Sequence, residues 1–498
     1  MAVGTSQAHT QVLVVGGGPV GLLLAGELRL GGAEVTLLEP RDAPTAESRA
    51  STLHARTMEI LDSRGLLDPL GTPPREPRGH FGGIPLDLTL PSPYAGQWKV
   101  LQQRTEELLE DWARSLGATI LRGHELRALT VAEDRVEAEA AGPTGAVRVT
   151  ADYAVACDGE DSFVRRLTGA DFPGHDARRD LLRADVAGIE IPDRRFQRLA
   201  GGLAIAARRP DGVTRVMVHE FGSVPRERTG GPGFDEVADA WKRVTGEDIS
   251  GGTPLWLNSF GDACRQLSAY RHGRLLFAGD AAHRQPPIGG QALNHGLQDA
   301  ANLGWKLAAT VRGRAADGLL DSYHTERHAV GRRVLTNIET QAGLLFGGDD
   351  SNAPRSLLGE LIGLEPVRTH LAGMISGLDI RYEVEGAAHP LLGARLPHAE
   401  LITDEGPTTT FALLRTGRGI LLDRSGGDGT ALRAAAAPWA PRVRTIKALP
   451  GAESEADVLL VRPDGHVVWA ADDADPTGPV PALRRWFGVP TTHRKAGM

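Results

Sequence analysis

Short apolar runs and glycine-rich turns alternate over the first forty residues in the order expected of a βαβ unit. Residues 11–15 and 34–38 are apolar runs typical of buried strands, and residues 22–28 between them have helical periodicity. The second apolar run ends at Glu39. The pattern predicts a strand, a helix and a second strand parallel to the first.

The middle of the chain changes from β to α periodicity. A helix is predicted after Gln102 within an otherwise loop-rich segment, residues 42–120, and residues 126–156 alternate like hairpin strands. Residues 175–272 have the pattern of a mostly antiparallel sheet. Helical periodicity then extends from residue 298 to about 346 and returns over 355–377.

The last hundred residues form a separate predicted unit, residues 389–498. Short strands at 411–414, 419–422, 458–461 and 467–469 alternate with an alanine-rich helix at 430–437, which predicts a small α/β domain. This segment contains no cysteine, so thiol–disulfide exchange is excluded for it.

Composition narrows the class of protein. The 498 residues include 41% hydrophobic residues and only two cysteines, Cys157 and Cys264, so we expect large cores without a disulfide framework. A net charge of −8 argues against nucleic acid or an anionic membrane surface as partner. The apolar stretch 12–25 is interrupted by glycines and Pro19, and no basic segment precedes it, so we expect a cytoplasmic protein with no membrane span.

The first glycine-rich turn carries the chemistry of nucleotide binding. Gly16, Gly18 and Gly21 form a G-x-G-x-x-G pattern between the predicted strand and helix. Such glycines let the main chain approach a pyrophosphate at the helix N-terminus. Glu39, at the end of the second strand, is placed to accept hydrogen bonds from a ribose.

Two later motifs repeat the strand–turn–helix arrangement. Asp158 and Gly159 follow an apolar strand, and Gly279 and Asp280 follow another, which leads into a proline- and glycine-rich loop and a helix. The Asp280 carboxylate could accept from a ribityl hydroxyl. The free N–H groups at the start of the helix suit the negative pyrimidine ring of a reduced flavin.

These three ordered motifs resemble those of the FAD-dependent aromatic hydroxylases related to para-hydroxybenzoate hydroxylase, the group A flavoprotein monooxygenases. The chain is most similar to the hydroxylases that tailor aromatic polyketides of the angucycline and anthracycline type. The resemblance implies an α/β protein with three parts: a Rossmann-like FAD-binding domain (1–174 and 273–388), a β-sheet substrate domain (175–272) and a thioredoxin-like C-terminal domain (389–498).

Roles follow from this resemblance position by position. Glu39 would bind the adenosine ribose, Arg49 would lie by the flavin or pyrophosphate, and Gln102 would contact the ribityl chain. Asp158 is linked to both FAD and NAD(P)H, and Asp280 to the ribityl chain and pyrophosphate. The isoalloxazine would be lined by Pro287, Gly289, Gly290, Leu293 and Asn294. No catalytic residue is assigned, although Arg381, Tyr382 and His54 are polar candidates.

The implied reaction is hydroxylation of a polycyclic aromatic polyketide in antibiotic-type secondary metabolism. NAD(P)H would reduce the FAD, O2 would add to give a C4a-hydroperoxyflavin, and this would transfer a hydroxyl group to a phenolic ring. A Baeyer–Villiger or other oxygenative ring modification on the same scaffold is the alternative, which the motifs do not separate. The expected assembly is a monomer or a homodimer.

Two observations complicate this interpretation. This chain has Ala292 where the resembling family usually has glycine, and His295 where the family usually has threonine, valine or a similar residue. We expect Ala292 to adopt an ordinary helical or extended conformation. His324 and His328 have the i, i+4 spacing of zinc ligands, but the order is not His-Glu-x-x-His, and we assign no metal ligand.

A G-x-S-x-G elbow is absent, so a serine hydrolase has no support.

Overall fold

The computed structural model describes residues 6–44, 50–226, 228, 230–386, 388–449, 456–472 and 478–490. Its first part contains eleven strands and five helices. The strands are β1 (Ser6–Val15), β2 (Val35–Glu39), β3 (Thr52–His54), β4 (Arg75–Glu76), β5 (Arg78–Phe81), β6 (Ile84–Asp87), β7 (Gln97–Lys99), β8 (Thr119–Arg122), β9 (Glu125–Val131), β10 (Val136–Gly142) and β11 (Gly145–Ala156). The helices are α1 (Pro19–Leu30), α2 (Ala55–Asp62), α3 (Leu67–Leu70), α4 (Gln102–Ser115) and α5 (Phe163–Thr168).

The middle part supplies the second sheet and the long helices. Its strands are β12 (Gly174–His175), β13 (Asp180–Ala187), β14 (Arg194–Leu199), β15 (Gly202–Arg208), β16 (Thr214–Glu220), β17 (Thr253–Gly261), β18 (Cys264–Gln266), β19 (Arg271–His272), β20 (Leu275–Phe277) and β21 (His283–Arg284). Its helices are α6 (Phe234–Thr245), α7 (Gln291–Val311), α8 (Asp321–Phe346), α9 (Asn352–Ile362) and α10 (Glu365–Ser376).

The largest sheet confirms the predicted βαβ unit. Its parallel strands lie in the order β20-β11-β1-β2-β8, with β10 and β9 added as antiparallel strands beside β11. Helix α1 packs against α7 so closely that a Cβ added to Gly304 would lie 2.3 Å from the Cβ of Glu27. The carboxyl ends of β1, β2, β11 and β20 therefore meet at one edge, where α/β sheets bind ligands.

The second sheet is antiparallel, as predicted for residues 175–272, with strand order β14-β15-β16-β13-β17. One face packs on α6 around the fully buried Trp241, and the other faces α8 and the loop at Ile288. A three-stranded sheet of β12, β18 and β21 joins this region to the segment that leads into α7.

The C-terminal part contains two small sheets. Its elements are β22 (Glu400–Thr403), β23 (Gly406–Thr409), α11 (Thr410–Leu413), β24 (Gly419–Asp423), α12 (Thr430–Ala436), β25 (Val443–Lys447), β26 (Val458–Val461), β27 (Val467–Ala471) and α13 (Val480–Phe487). The four-stranded sheet has the order β25-β24-β26-β27, with β24 and β25 parallel and β26 and β27 antiparallel. This is the arrangement expected of a thioredoxin-like domain.

Four local predictions were wrong. Residues 411–414 are not a strand: 411–413 belong to α11 and Leu414 begins a 3-10 turn, because the Thr409 hydroxyl accepts a hydrogen bond from the Ala412 N–H and caps a helix there. The helical stretch predicted from 298 to 346 begins earlier, at Gln291, and is broken between α7 and α8, where Gly313 and Gly318 have positive φ. The stretch 355–377 is likewise two helices, α9 and α10, and the loop-rich segment contains α2.

Among the described residues, none of the helices combines the length and apolar character needed to cross a bilayer.

Candidate functional site

A cleft of about 980 Å³ opens where the carboxyl ends of the parallel strands face the antiparallel sheet. It extends from Glu39 past Gly18 and Asp158 to the first turn of α7. The antiparallel sheet contributes Arg183, Asn258 and Phe260 to its far wall. This volume is large enough for a dinucleotide cofactor or a drug-sized ligand.

The three motif glycines have different roles in this cleft. Gly16 has a φ of +107°, and a Cβ there would lie 2.3 Å from the Cys157 carbonyl oxygen; a Cβ on Gly21 would lie 2.0 Å from the Gly16 oxygen. These two glycines let β1, β11 and α1 pack closely. A Cβ on Gly18 would meet nothing within 4 Å, so the main chain at the start of α1 borders open space. That opening at a helix N-terminus fits a pyrophosphate.

The Glu39 carboxylate is fixed by the protein itself. Its Oε2 accepts a hydrogen bond from the Gly17 N–H at 2.6 Å, and its Oε1 accepts from the Arg41 N–H and Nε at 3.0 and 2.9 Å. The side chain is buried and lines the cleft. A carboxylate is therefore held in position at the end of β2.

Asp158 lines the cleft, and its two carboxylate oxygens differ in their partners. Its Oδ2 accepts from the Val164 N–H at 3.0 Å, in the first turn of α5. Its Oδ1 is buried and has no hydrogen-bond partner among the described residues. A buried acceptor without a donor is costly, so this oxygen fits a ligand hydroxyl or amine.

Asp280 lies in the turn after β20, and a buried network behind it holds this turn. The neighbouring Gly279 N–H donates to Asp299 Oδ2 at 3.1 Å, His283 Nε2 lies 2.8 Å from the same oxygen, and Arg327 Nε donates to Oδ1 at 2.6 Å. Burial alone would raise the pKa of Asp299, but the Arg327 guanidinium and the nearby imidazoles hold it below its ordinary value. The Asp280 carboxylate lines the cleft in front of this network.

The glycine loop before α7 is held from behind by two polar side chains. Gly289 and Gly290 both have positive φ, +65° and +68°, and His54 Nε2 lies 2.8 Å from the Gly289 oxygen. Asn294 Oδ1 accepts from the His54 N–H and the Thr57 hydroxyl, and its Nδ2 donates to the Thr52 and Gly290 oxygens. Burial lowers the pKa of His54 to about 4, so its ring is neutral and donates to the loop.

The predicted isoalloxazine residues therefore divide into two groups. Pro287 and Leu293 line the cleft together with Ala292, which is helical, as expected. Gly289, Gly290 and Asn294 do not line it; they shape the loop that ends in the first turn of α7. Within the described ranges no side chain caps α7, so its first N–H groups are available at the cleft.

The remaining predicted residues are scattered. Gln102 lines the cleft at the start of α4, and its Nε2 donates to Glu106 Oε1 at 2.9 Å. Arg49 lies outside the described residues. Arg381 and Tyr382 line a separate cavity, and the Tyr382 hydroxyl lies 3.2 Å from Arg327 Nη1.

Sequence reasoning missed the residues of the far wall. Arg183 is buried, lies 4.5 Å from the Trp256 ring centroid and donates to Asn258 Oδ1 at 3.3 Å. An arginine in the apolar strand β13 was the available signal. The same holds for Asp299, a carboxylate among the buried apolar residues of α7.

Comparison with known proteins agrees with this geometry. The family model described as "FAD binding domain" matches residues 9–338, and the model described as "Aromatic-ring hydroxylase, C-terminal" matches residues 389–490.

Individual relatives extend over nearly the whole chain. A 12-dehydrotetracycline 5-monooxygenase/anhydrotetracycline 6-monooxygenase of Streptomyces rimosus is 40% identical, over 96% of this chain and 99% of its own. A dialkyldecalin synthase of Streptomyces rugosporus is 39% identical, over 96% and 98%. The crystal structure of CabE, an aromatic hydroxylase from angucycline biosynthesis, is 48% identical and superposes with a TM-score of 0.92 over 97% of this chain and 99% of that one. The chain therefore belongs to the FAD-binding aromatic-ring hydroxylase family of flavin-dependent monooxygenases.

Proposed function

We propose that this enzyme uses FAD, NAD(P)H and O2 to hydroxylate a polycyclic aromatic polyketide. The observation that carries the proposal is the continuous cleft, because one space joins the nucleotide-binding edge of the parallel sheet to a wall of the antiparallel sheet. A cofactor held at the first edge would present its reactive ring to a substrate held at the second wall.

The residues at the nucleotide end support the cofactor half of the proposal. Glu39 would accept from the adenosine ribose, the main chain at Gly18 would approach the pyrophosphate, and Asp158 Oδ1 would accept from the cofactor or from NAD(P)H. Asp280 and Gln102, which also line the cleft, would contact the ribityl chain.

The first turn of α7 supports the redox half. When bound, FAD would accept reducing equivalents from NAD(P)H and activate O2. The chain contributes a helix N-terminus, whose positive end stabilises negative charge on the reduced ring, beside Pro287, Ala292 and Leu293. The antiparallel sheet covers the opposite side of the cleft, and exclusion of water there would limit the loss of activated oxygen as peroxide.

The far wall supports an aromatic, oxygen-bearing substrate. Arg183 lies between the rings of Trp256 and Phe260, at 4.5 and 5.6 Å from their centroids. Arg183 and Phe260 both line the cleft, where the guanidinium would donate to a phenolate or ketone oxygen and the Phe260 ring offers a flat apolar surface. The tetracyclines named for one relative are of this class, and another relative is an aromatic hydroxylase from angucycline biosynthesis.

We further propose that residues 1–174 and 273–388 bind the cofactor, that residues 175–272 bind the substrate, and that residues 389–498 have a structural role. The cytoplasmic location and the oligomeric state, a monomer or a homodimer, remain predictions.

The deciding experiment measures oxidation of NADH and NADPH by the FAD-loaded enzyme with a panel of angucycline, anthracycline and tetracycline precursors under 18O2, followed by mass spectrometry. Hydroxylation and Baeyer–Villiger insertion both add one labelled oxygen, so tandem mass spectrometry and NMR must locate it: hydroxylation places it as a hydroxyl group on a ring carbon. A labelled lactone would establish the Baeyer–Villiger alternative. A product isomeric with its substrate, formed without NAD(P)H, would replace the oxygenase proposal with a ring-forming activity of the kind named for the dialkyldecalin synthase.

A further inference from the structure

Three side chains of metal-binding type converge at the junction of the small sheet and α8. The ligand atoms of His175, Cys264 and Glu339 all lie within 4.8 Å of one another. They come from β12, β18 and α8, which are separated by up to 164 positions along the chain. Their distance in sequence explains why no spacing motif indicated them.

The fold brings the three together through main-chain pairing and apolar packing. His175 and Cys264 are direct partners in the antiparallel pair of β12 and β18. The strands approach so closely that a Cβ on Gly174 would lie 2.1 Å from the Cys264 oxygen. Cys264 packs in one apolar cluster with Leu335 and Ile338 of α8, which brings Glu339 to the strand pair.

The contacts of His175 leave one ring nitrogen facing the other ligand groups. Its Nδ1 lies 2.9 Å from the Asp176 carbonyl oxygen, which can only accept, so Nδ1 carries the proton. Its Nε2 lies 3.1 Å from Glu339 Oε1, which as a carboxylate oxygen also only accepts. With Nδ1 as the donor, Nε2 presents its lone pair toward the Glu339 carboxylate, which is the arrangement of two ligands of one cation.

We propose that His175 Nε2, Cys264 Sγ and a Glu339 carboxylate oxygen bind one divalent ion of the zinc class, with water as a fourth ligand. Imidazole, thiolate and carboxylate are the ligand types that zinc takes in proteins, and three protein ligands with one open position are a common set. Glu339 is about half exposed, so the ion has a path from solvent.

Binding exchanges a proton for the ion. The S–H bond of Cys264 breaks, an S–metal bond forms, and the proton passes to solvent. Without an ion, burial raises the pKa of the Cys264 thiol to about 12, so the free thiol is protonated and is not a nucleophile at neutral pH.

Two other histidine clusters do not offer such a site. His324 Nδ1 accepts from the Tyr270 N–H at 3.2 Å, and no third ligand group joins His324 and His328 within the described ranges. In the cluster of His283, His295 and Asp299, the carboxylate is already bound by the Arg327 guanidinium and the Gly279 N–H. A further cation there would face Arg327.

The test is calorimetric titration of the purified full-length protein with Zn²⁺, together with ultraviolet difference spectra on addition of Cd²⁺. We expect one equivalent of Zn²⁺ and a thiolate-to-metal charge-transfer band with Cd²⁺. Cys264→Ser should abolish the band. His175→Ala and Glu339→Gln should each weaken Zn²⁺ binding by more than about tenfold, a loss that changes around metal sites commonly produce.

Matched variants make the result decisive. His370→Ala and Glu360→Gln remove exposed residues of the same types on α10 and α9 and should leave the titration unchanged. Circular dichroism checks that each variant is folded. The proposal is overturned if Zn²⁺ does not bind, or if binding survives Cys264→Ser and is lost in the His324→Ala/His328→Ala double variant.

Discussion

The Arg462 guanidinium forms a bidentate ion pair with the Glu326 carboxylate, with Nη1–Oε1 and Nη2–Oε2 distances of 2.6 and 2.9 Å. Both side chains are buried, and Lys306 Nζ donates to the same carboxylate at 2.8 Å. Burial alone would raise the pKa of Glu326, but Arg462 and Lys306 lower it to about 2. Arg462 also bonds to Asp464, so a charged network joins the C-terminal part to α7 and α8.

We expect Arg462→Met to lower the free energy of unfolding by about 3–5 kcal/mol, because Glu326 and Asp464 would remain as buried charges without their main partner. Urea denaturation at neutral pH measures this change. Arg484→Met, at an exposed position of α13, is the control and should stay within about 0.5 kcal/mol of the wild type. Equal stability of the two variants would contradict the role assigned to the network.

Removal of residues 389–498 should reduce stability and solubility more than it changes the chemistry. The deletion would expose Trp305 and Leu319, which pack in one cluster with C-terminal side chains, and would leave Glu326 with Lys306 and Asn302 but without Arg462. Thermal unfolding and NAD(P)H oxidation of the truncated chain measure the two effects. An unchanged melting temperature would be the contrary result, as would loss of a thiol-dependent activity.

Glu39→Ala and Asp280→Ala should each weaken FAD binding by about ten- to a hundredfold, since each removes a charged acceptor facing the cleft. Flavin fluorescence during reconstitution of the apoprotein gives the dissociation constants. Glu34→Ala removes an exposed carboxylate just before β2 and should bind FAD normally. Full flavin occupancy in both cleft variants would refute the assignment.

Stability should fall as the pH is lowered from about 6.5 to 4. Burial lowers the pKa values of His54 and His80 to about 4, so the folded state favours the neutral rings. The stabilisation that the neutral rings contribute is present above their pKa in the unfolded chain, near 6.5, and is lost as the pH falls through their pKa in the folded protein. Each ring contributes about 3 kcal/mol at most.

Urea midpoints as a function of pH test this linkage. His54→Asn should show a shallower slope between about pH 6.5 and 4 than the wild type. His370→Asn, at an exposed position of α10, is the control and should retain the wild-type slope. Parallel curves for His54→Asn and the wild type would show that this ring is not buried in its neutral form.

Ala292→Gly should preserve FAD binding and change the coupling of NAD(P)H oxidation to product formation. Ala292 lies in the first turn of α7 with its methyl group at the cleft, and glycine removes that group and loosens the turn. Product and hydrogen peroxide are measured in parallel. Identical coupling in the two proteins would show that the methyl group has no mechanistic role.

Local sequence patterns were sufficient where neighbouring residues determine the structure. The strand–turn–helix order around Gly16, Gly18 and Gly21 was predictable because turn chemistry and hydrophobic periodicity are short-range properties. Residues 411–414 were mispredicted because a short apolar run fits a strand and a helix equally well, and the Thr409 cap decides between them.

Tertiary contacts determined the rest. Asn294 was expected at the isoalloxazine, yet its partners Thr52, His54 and Thr57 lie about 240 positions away, and no local pattern reveals that pairing. Arg183 and Asp299 gave a weaker signal, a charged residue within an apolar element. Such a residue indicates a buried partner but does not identify it.

The hydrogen bonds of Asn294 have a consequence for how this enzyme can be altered. Because its amide is fully engaged in holding the glycine loop to β3, and because Ala292 and Leu293 are the residues of the first turn of α7 that line the cleft, the polar groups that this turn offers to the cleft are those of the main chain. Main-chain groups persist whatever side chains stand at positions 292 and 293. The contour of the cleft at these two positions is therefore open to redesign for larger or smaller substrates, while the field of the helix stays the same.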